Sequence, residues 1–320
     1  MSRWLGLVVM AAGFLAIPAA AQMPPPGGRP PAGAPPRLAG PGLPATLADT
    51  AYASVSPAQR FDLWRPAGPG PFPLVINIHG GGFMMGSRAM LNGAMLRALL
   101  ARGVAVASVD YRLSGEARFP AAVQDVKAAV RHLRANAAAY RLDPARFVAF
   151  GQSAGGNLAA MLGTSDGEPG FDDPARGNAG VSSRVQAVVD WFGPSDFTLL
   201  DSHARQQGCP ADHDAADSPE SRWLGIPVPQ APDLAQRANP ARYADAGDPP
   251  FLLQKGALDC LVPVAQSQLL HDRLRAAGVK AHLDILPGAG HGDMGLATPV
   301  FGSPANIERV VGFITDVVSR

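Results

Sequence analysis

Only two cysteines occur among the 320 residues, and no spacing of His, Cys, Asp and Glu forms a metal-ligand pattern. There is no P-loop and no dinucleotide fingerprint, so phosphate-cradling chemistry has no carrier. Basic tracts are missing too. A formal net charge of +1 gives no reason to expect nucleic acid or an anionic membrane as partner. No internal repeat appears, which sets aside solenoids and propellers. Acidic residues gather once, at Asp166, Glu168, Asp172 and Asp173, but their spacing matches no calcium loop and reads as a solvated face. Five histidines (His132, His203, His213, His271 and His282) lack motif context and read as structural.

What is present is apolar mass: 47% of residues are hydrophobic, enough for a large core. Its first share lies at the N-terminus. Met1-Ser2-Arg3 is a short basic start, residues 4–17 carry no charge, and Ala19-Ala20-Ala21 precedes Gln22. That run is too short for an ordinary membrane span and ends in a small-residue cleavage pattern, so residues 1–21 are expected to be a secretory signal. The mature chain is then expected to be periplasmic or extracellular, with no membrane insertion. Residues 22–46, dominated by Pro, Gly and Ala, are expected to form a disordered tether. Residues 47–320 suit one α/β domain.

Along that domain, apolar strand-like stretches at 74–78, 104–109, 147–150, 185–192, 251–254 and 283–286 alternate with helical periodicity at 90–101, 121–136, 266–277 and 307–318. Near-continuous apolar strands separated by helices predict a mostly parallel sheet covered on both faces. Ligands of such sheets bind beyond the carboxyl ends of the strands.

The chemistry-bearing residues fall at those ends. Gly151-Gln152-Ser153-Ala154-Gly155 is a G-x-S-x-G pentapeptide between a strand and a helix, where a serine on a sharp turn exposes its hydroxyl. Upstream, the strand 75–78 runs into His79-Gly80-Gly81-Gly82, whose N–H groups can point at a developing oxyanion. Downstream, Asp259 and His291 each follow a strand. A serine hydroxyl needs an imidazole to take its proton, and a carboxylate fixes the imidazole's tautomer and steadies its charged form. Asp196, also after a strand, is the alternative acid.

Together with Ser108-Val109-Asp110-Tyr111-Arg112-Leu113, Val262-Pro263 and Gly290-His291-Gly292, these motifs make residues 48–320 resemble α/β-hydrolase-fold serine esterases. The resemblance is to the hormone-sensitive-lipase-like and bacterial acetyl- and feruloyl-esterase-like (BD-FAE-like) groups. It implies a Ser153, His291, Asp259 triad, an oxyanion hole from the N–H groups of Gly81, Gly82 and Ala154, no cofactor and no metal. Asp110-Tyr111-Arg112 then reads as a buried polar brace behind the oxyanion loop. The implied activity is hydrolysis of short-chain acyl esters on a small molecule or polysaccharide, of the acetyl or feruloyl kind. A prolyl-oligopeptidase-type peptidase shares fold and triad but carries a large N-terminal domain where this chain has a Pro-rich stretch. A non-catalytic binding protein of the same fold would be expected to have lost a triad member. Two positions depart from the family pattern: Lys255 stands where His is common, and Gln152 where Asp, Glu or His is common.

After the strand at 185–192 the rhythm breaks, and about 193–246 is expected to be a cap or long loop inserted after the sixth strand of the fold. Trp191, Phe192, Phe197, Trp223 and Leu224 are its apolar anchors. Phe83, Gln152, Trp191 and Trp223 are expected to line the substrate pocket. In an exported chain an even cysteine count favours pairing, so Cys209 and Cys260 are expected to form a disulfide tying the cap to the Asp259 loop.

Overall fold

Alternating side chains of the buried strands build two cores, one on each side of a single sheet. In the computed structural model, which describes residues 40–319, the strands are β1 (Leu47–Ala51), β2 (Arg60–Trp64), β3 (Phe72–Ile78), β4 (Ala105–Val109), β5 (Leu142–Gln152), β6 (Ala187–Trp191), β7 (Phe251–Gly256) and β8 (Ala281–Leu286). Their spatial order is β1-β2-β4-β3-β5-β6-β7-β8. From β4 to β8 all neighbours are parallel, while β1 and β2 add an antiparallel edge. This is the α/β-hydrolase architecture expected from the sequence.

The helices are α1 (Gly93–Ala101), α2 (Ala121–Ala135), α3 (Ala137–Tyr140), α4 (Ala154–Thr164), α5 (Leu200–Gln207), α6 (Pro219–Leu224), α7 (Pro232–Arg237), α8 (Val264–Ala276) and α9 (Pro304–Val318). Leu74, Ile76 and Ile78 of β3, with Phe251 and Leu253 of β7, face α2, α4 and α8. Val75, Val148, Phe150, Val189 and Leu252 point the other way, toward α1 and α9. That period-two alternation is what a doubly covered sheet requires.

Two expectations shift. The edge strands β1 and β2 were not anticipated. Of the stretch expected as a tether, residues 41–46 sit on the domain: Trp64 Nε1–H donates to the Leu43 carbonyl at 3.0 Å, and Leu43 and Ala45 pack on the α1–α9 side. The expected signal at 1–21 and the tether up to residue 39 lie outside the described residues. Among the described residues no helix is long and apolar enough to cross a membrane.

The stretch 193–246 folds as short helices, α5 to α7, linked by 3-10 turns. Asn157 of α4 anchors it, donating through Nδ2 to the carbonyls of Pro194 (3.0 Å) and Ala238 (3.2 Å). Cys209 and Cys260 are joined in a disulfide, with Cα atoms 5.3 Å apart. In the acidic group at 166–173, Asp172 pairs with Lys127 and Arg131, Asp173 with Arg176 and Asp166 with Arg184. No group of acidic, His and Cys residues able to hold a metal occurs among the described residues.

Candidate active site

Strand β5 ends in the turn that presents Ser153. The serine sits at φ 55°, ψ −121°, a conformation L-residues rarely adopt, directly before α4. The flanking glycines are a steric necessity. A Cβ on Gly151 would lie 1.9 Å from the Gly155 carbonyl oxygen, and one on Gly155 would lie 2.1 Å from that of Ile78. The hydroxyl is thereby pushed out of the sheet edge while Ala154 opens the helix, its N–H among those with no partner inside the helix.

His291 comes from the loop after β8. Its Nε2 is 2.8 Å from Ser153 Oγ, and its Nδ1 is 2.9 Å from Asp259 Oδ2. The carboxylate is held from both sides. Oδ1 accepts the N–H groups of Leu261 and Val262, each at 3.0 Å, and Oδ2 also accepts from Lys255 Nζ at 2.8 Å. Burial pushes the Asp259 carboxyl up, but the His291 bond and the Lys255 charge outweigh it and draw it down to about 2. The acid therefore stays ionised at neutral pH. Phe192 packs edge-on against the imidazole, ring centroids 4.7 Å apart, and so restricts its tilt.

Asp196, the alternative acid, does not reach His291. Its carboxylate caps the turn at Thr198 (2.6 Å to Oγ1) and accepts from Gln236 Nε2 at 2.8 and 2.9 Å, while its N–H donates to Gln266. It holds the inserted helices to α8.

The oxyanion loop follows β3. Gly81 takes φ +116°, where a Cβ would meet the Met85 carbonyl oxygen at 2.1 Å, and Gly82 takes φ +59°. The Gly81 carbonyl turns back to accept from Met84 and Met85 at 3.0 and 3.1 Å. Among the described residues the N–H groups of Gly81 and Gly82 donate to no protein acceptor. Behind the loop, Tyr111 stacks on the His79 ring (4.3 Å) and donates its hydroxyl to the His79 carbonyl at 2.9 Å. Burial holds His79 below its usual value, so it is neutral and bonds through Nδ1–H to the Gly80 carbonyl at 2.8 Å. Asp110 pairs with Arg88, and Arg112 with Asp125. The 110–112 segment is the polar brace expected from the sequence.

Three of the expected pocket residues are packing residues instead. Phe83 and Trp223 stack face to face at 3.8 Å, both essentially without exposure, and clamp the oxyanion loop to α6. Trp191 points to the α9 side, between Phe150 and Phe301. None of the three can touch a substrate; burial, which aromatic residue type does not disclose, is the reason. Gln152 is partly exposed next to Ser153 and alone remains available. Exposed apolar side chains lie close in sequence to these groups, with Met85 on the oxyanion loop, Leu258 and Leu261 around Asp259, and Met294 beyond His291. A hollow of about 480 Å³, lined by Met84, Ser114, Arg118, Ser221 and Arg222, adjoins the oxyanion loop.

The sequence reasoning missed two groups. Asp190, fully buried on β6, accepts the Gly193 N–H at 2.8 Å, and burial raises its carboxyl to about 6. Gln207 of α5 donates to the Asp259 carbonyl at 2.8 Å, beside the disulfide. Neither has a local sequence signal.

The chain is similar to known esterases. Esterase LipC of Mycobacterium tuberculosis (strain ATCC 25618 / H37Rv) is 33% identical over 240 residues, covering 74% of this chain and 57% of that protein. The chain spans little more than half the length of the curated relatives it matches. A truncated carbohydrate esterase from gut microbiota superposes with a TM-score of 0.76 at 30% identity, covering 87% of this chain and 100% of that one. The butyrate-bound esterase from Thermogutta terrifontis, at 24% identity and a TM-score of 0.68, shares the fold. It covers 84% of this chain and 93% of its own. The matching family description is BD-FAE, over residues 61–274, and the chain belongs to that family.

Proposed function

We propose that this protein is an exported serine carboxylesterase that hydrolyses short acyl esters, of the acetyl or feruloyl kind borne by polysaccharides, through an acyl-enzyme. One observation carries the reading: a single imidazole, His291, lies within hydrogen-bond distance of both Ser153 Oγ (2.8 Å) and the buried Asp259 carboxylate (2.9 Å). In this mechanism His291 Nε2 takes the Ser153 proton as Oγ attacks the acyl carbonyl. Asp259 steadies the imidazolium, and the N–H groups of Gly81, Gly82 and Ala154 receive the oxyanion. Collapse of the tetrahedral intermediate expels the alcohol, protonated by His291. Water, activated by the same imidazole, then attacks the acyl-enzyme and releases the acid and Ser153.

The carbohydrate-esterase likeness supports a sugar-borne ester. The exposed apolar side chains of Met85, Leu258, Leu261 and Met294, near the site residues in sequence, would suit a small acyl or aryl group. Export is supported by the apolar run at 4–17 and by the Cys209–Cys260 disulfide, a bond favoured in oxidising compartments. The test is a substrate panel: p-nitrophenyl esters of increasing chain length, acetylated xylan, feruloyl esters and peptide amides. Turnover of acetyl or feruloyl esters with little amide cleavage is expected. Preference for amides would replace the esterase reading with a peptidase.

A further inference from the structure

The penultimate residue of strand β7 is a lysine that solvent does not reach. The side chains of Lys255 and Asp259 are both at 0% exposure, and they meet at 2.8 Å, Nζ to Oδ2. That oxygen is the one His291 Nδ1 also addresses, at 2.9 Å. Asp259 thus has two backbone N–H groups on one oxygen, and an ammonium plus an imidazole on the other. Among the described residues Asp259 is the one carboxylate within ion-pair reach of Lys255.

The remaining charged surroundings are sparse. Lys255 lies on the same face of the sheet as Leu253, whose partner in register on β6 is Asp190. Asp190 is committed to the Gly193 N–H but close enough to act on Lys255 electrostatically. Asp293, two residues past His291, is turned away to accept the N–H groups of Val300, Phe301 and Gly302. From α5, only the neutral Gln207 reaches Asp259. A buried ammonium is costly unless paired, and a hydrocarbon of similar length would fill the space more cheaply.

We propose that Lys255 is a positioning residue of the triad. Its ammonium fixes Asp259 Oδ2 toward His291, and its charge opposes that of the imidazolium, so that His291 remains an unprotonated base to lower pH than Asp259 alone would allow. The physical step is short. A lone buried carboxylate favours the charged imidazole, whereas a cation on the same oxygen offsets that attraction. Burial lowers the Lys255 amine below its ordinary value, and the Asp259 and Asp190 carboxylates offset part of that fall. The inference rests on the reading of Ser153, His291 and Asp259 as the hydrolytic triad.

The experiment compares the wild-type chain with Lys255→Met and Lys255→His. Two readouts are taken, the acid limb of kcat/KM against pH with p-nitrophenyl acetate, and the imidazole titration of His291 by NMR in a Ser153→Ala background. Lys255→Met is expected to move both upward by about one pH unit, as loss of a charge a few ångströms away does. Lys255→His keeps a donor to Oδ2 but loses the permanent charge. It should restore much of kcat while the limb stays high, and it supplies the same readout if the Met variant does not fold. A folded variant whose limb and imidazole midpoint both stay in place, even with reduced kcat, overturns the proposal and leaves Lys255 a packing residue. The NMR arm needs no turnover, so it judges Lys255 separately. Persistent hydrolysis by Ser153→Ala would sink the triad reading instead.

Discussion

His291 Nε2 stands 2.8 Å from Ser153 Oγ although 138 residues of chain separate them. Three parallel strands, β6, β7 and β8, and their crossovers lie in between, and the sheet brings both residues to the carboxyl ends of its strands. Replacing Ser153 or His291 by Ala is therefore expected to lower kcat by ~10⁶, and Asp259→Asn by ~10⁴. The variants should differ in stability as well. Ser153→Ala leaves no buried charge behind, whereas Asp259→Asn strands Lys255, a loss that typically costs about 3–5 kcal/mol. Thermal melts alongside kinetics check this. Equal melts for the two would mean that Lys255 finds another partner, and Asp196→Asn should leave kcat near wild type.

Much of this was legible beforehand, for physical reasons that differ by element. The stretch 147–150 reads as strand because both of its faces are buried, and the elbow at Ser153 reads as such because its turn admits only glycine at 151 and 155. By contrast, β1 is largely exposed and β2 carries Arg60 and Asp62. They are strands because β4 offers a free edge to β2 and β2 offers one to β1, which no local apolar pattern announces. The helices α5 to α7 are short and polar and hold their shape through tertiary partners such as Asn157 and Gln236. Trp191 and Trp223 were misplaced because an aromatic side chain does not announce which face it buries. Lys255 and Asp259 are four residues apart, yet their contact depends on the turn after β7, invisible in the spacing alone.

The Cys209–Cys260 disulfide encloses 51 residues of sequence separation, for which chain entropy gives about 4 kcal/mol of stabilisation. Reduction, or Cys209→Ser with Cys260→Ser, is expected to lower the denaturant midpoint markedly. Turnover at 25 °C should fall less than tenfold, since Asp259 keeps Leu261, Val262 and Lys255 as partners. Denaturant titration with and without reductant checks it. An unchanged midpoint, or two free thiols on titration of the untreated protein, would count against the bridge.

Asp190 makes stability depend on pH in a definite direction. Burial raises its folded-state value to about 6, above the ordinary carboxylate value near 3.9, so folding favours the protonated form. Below pH ~4 the group is protonated in both states and imposes no penalty. The penalty grows as pH rises from about 4 through 6 and reaches about 3 kcal/mol above that. Asp190→Asn is thus expected to raise stability at pH 7.5 and to lose that advantage at pH 4. Melts of both proteins across that range decide it; an advantage that is constant with pH would show that Asp190 does not titrate there.

The nucleophile and its oxyanion hole can be tested together by reacting the protein with a p-nitrophenyl phosphonate and solving the structure of the product. A single covalent adduct on Ser153 is predicted, with a phosphonyl oxygen within ~3 Å of the N–H groups of Gly81, Gly82 and Ala154. An adduct on another residue, or a phosphonyl oxygen turned away from both glycines, would contradict the account.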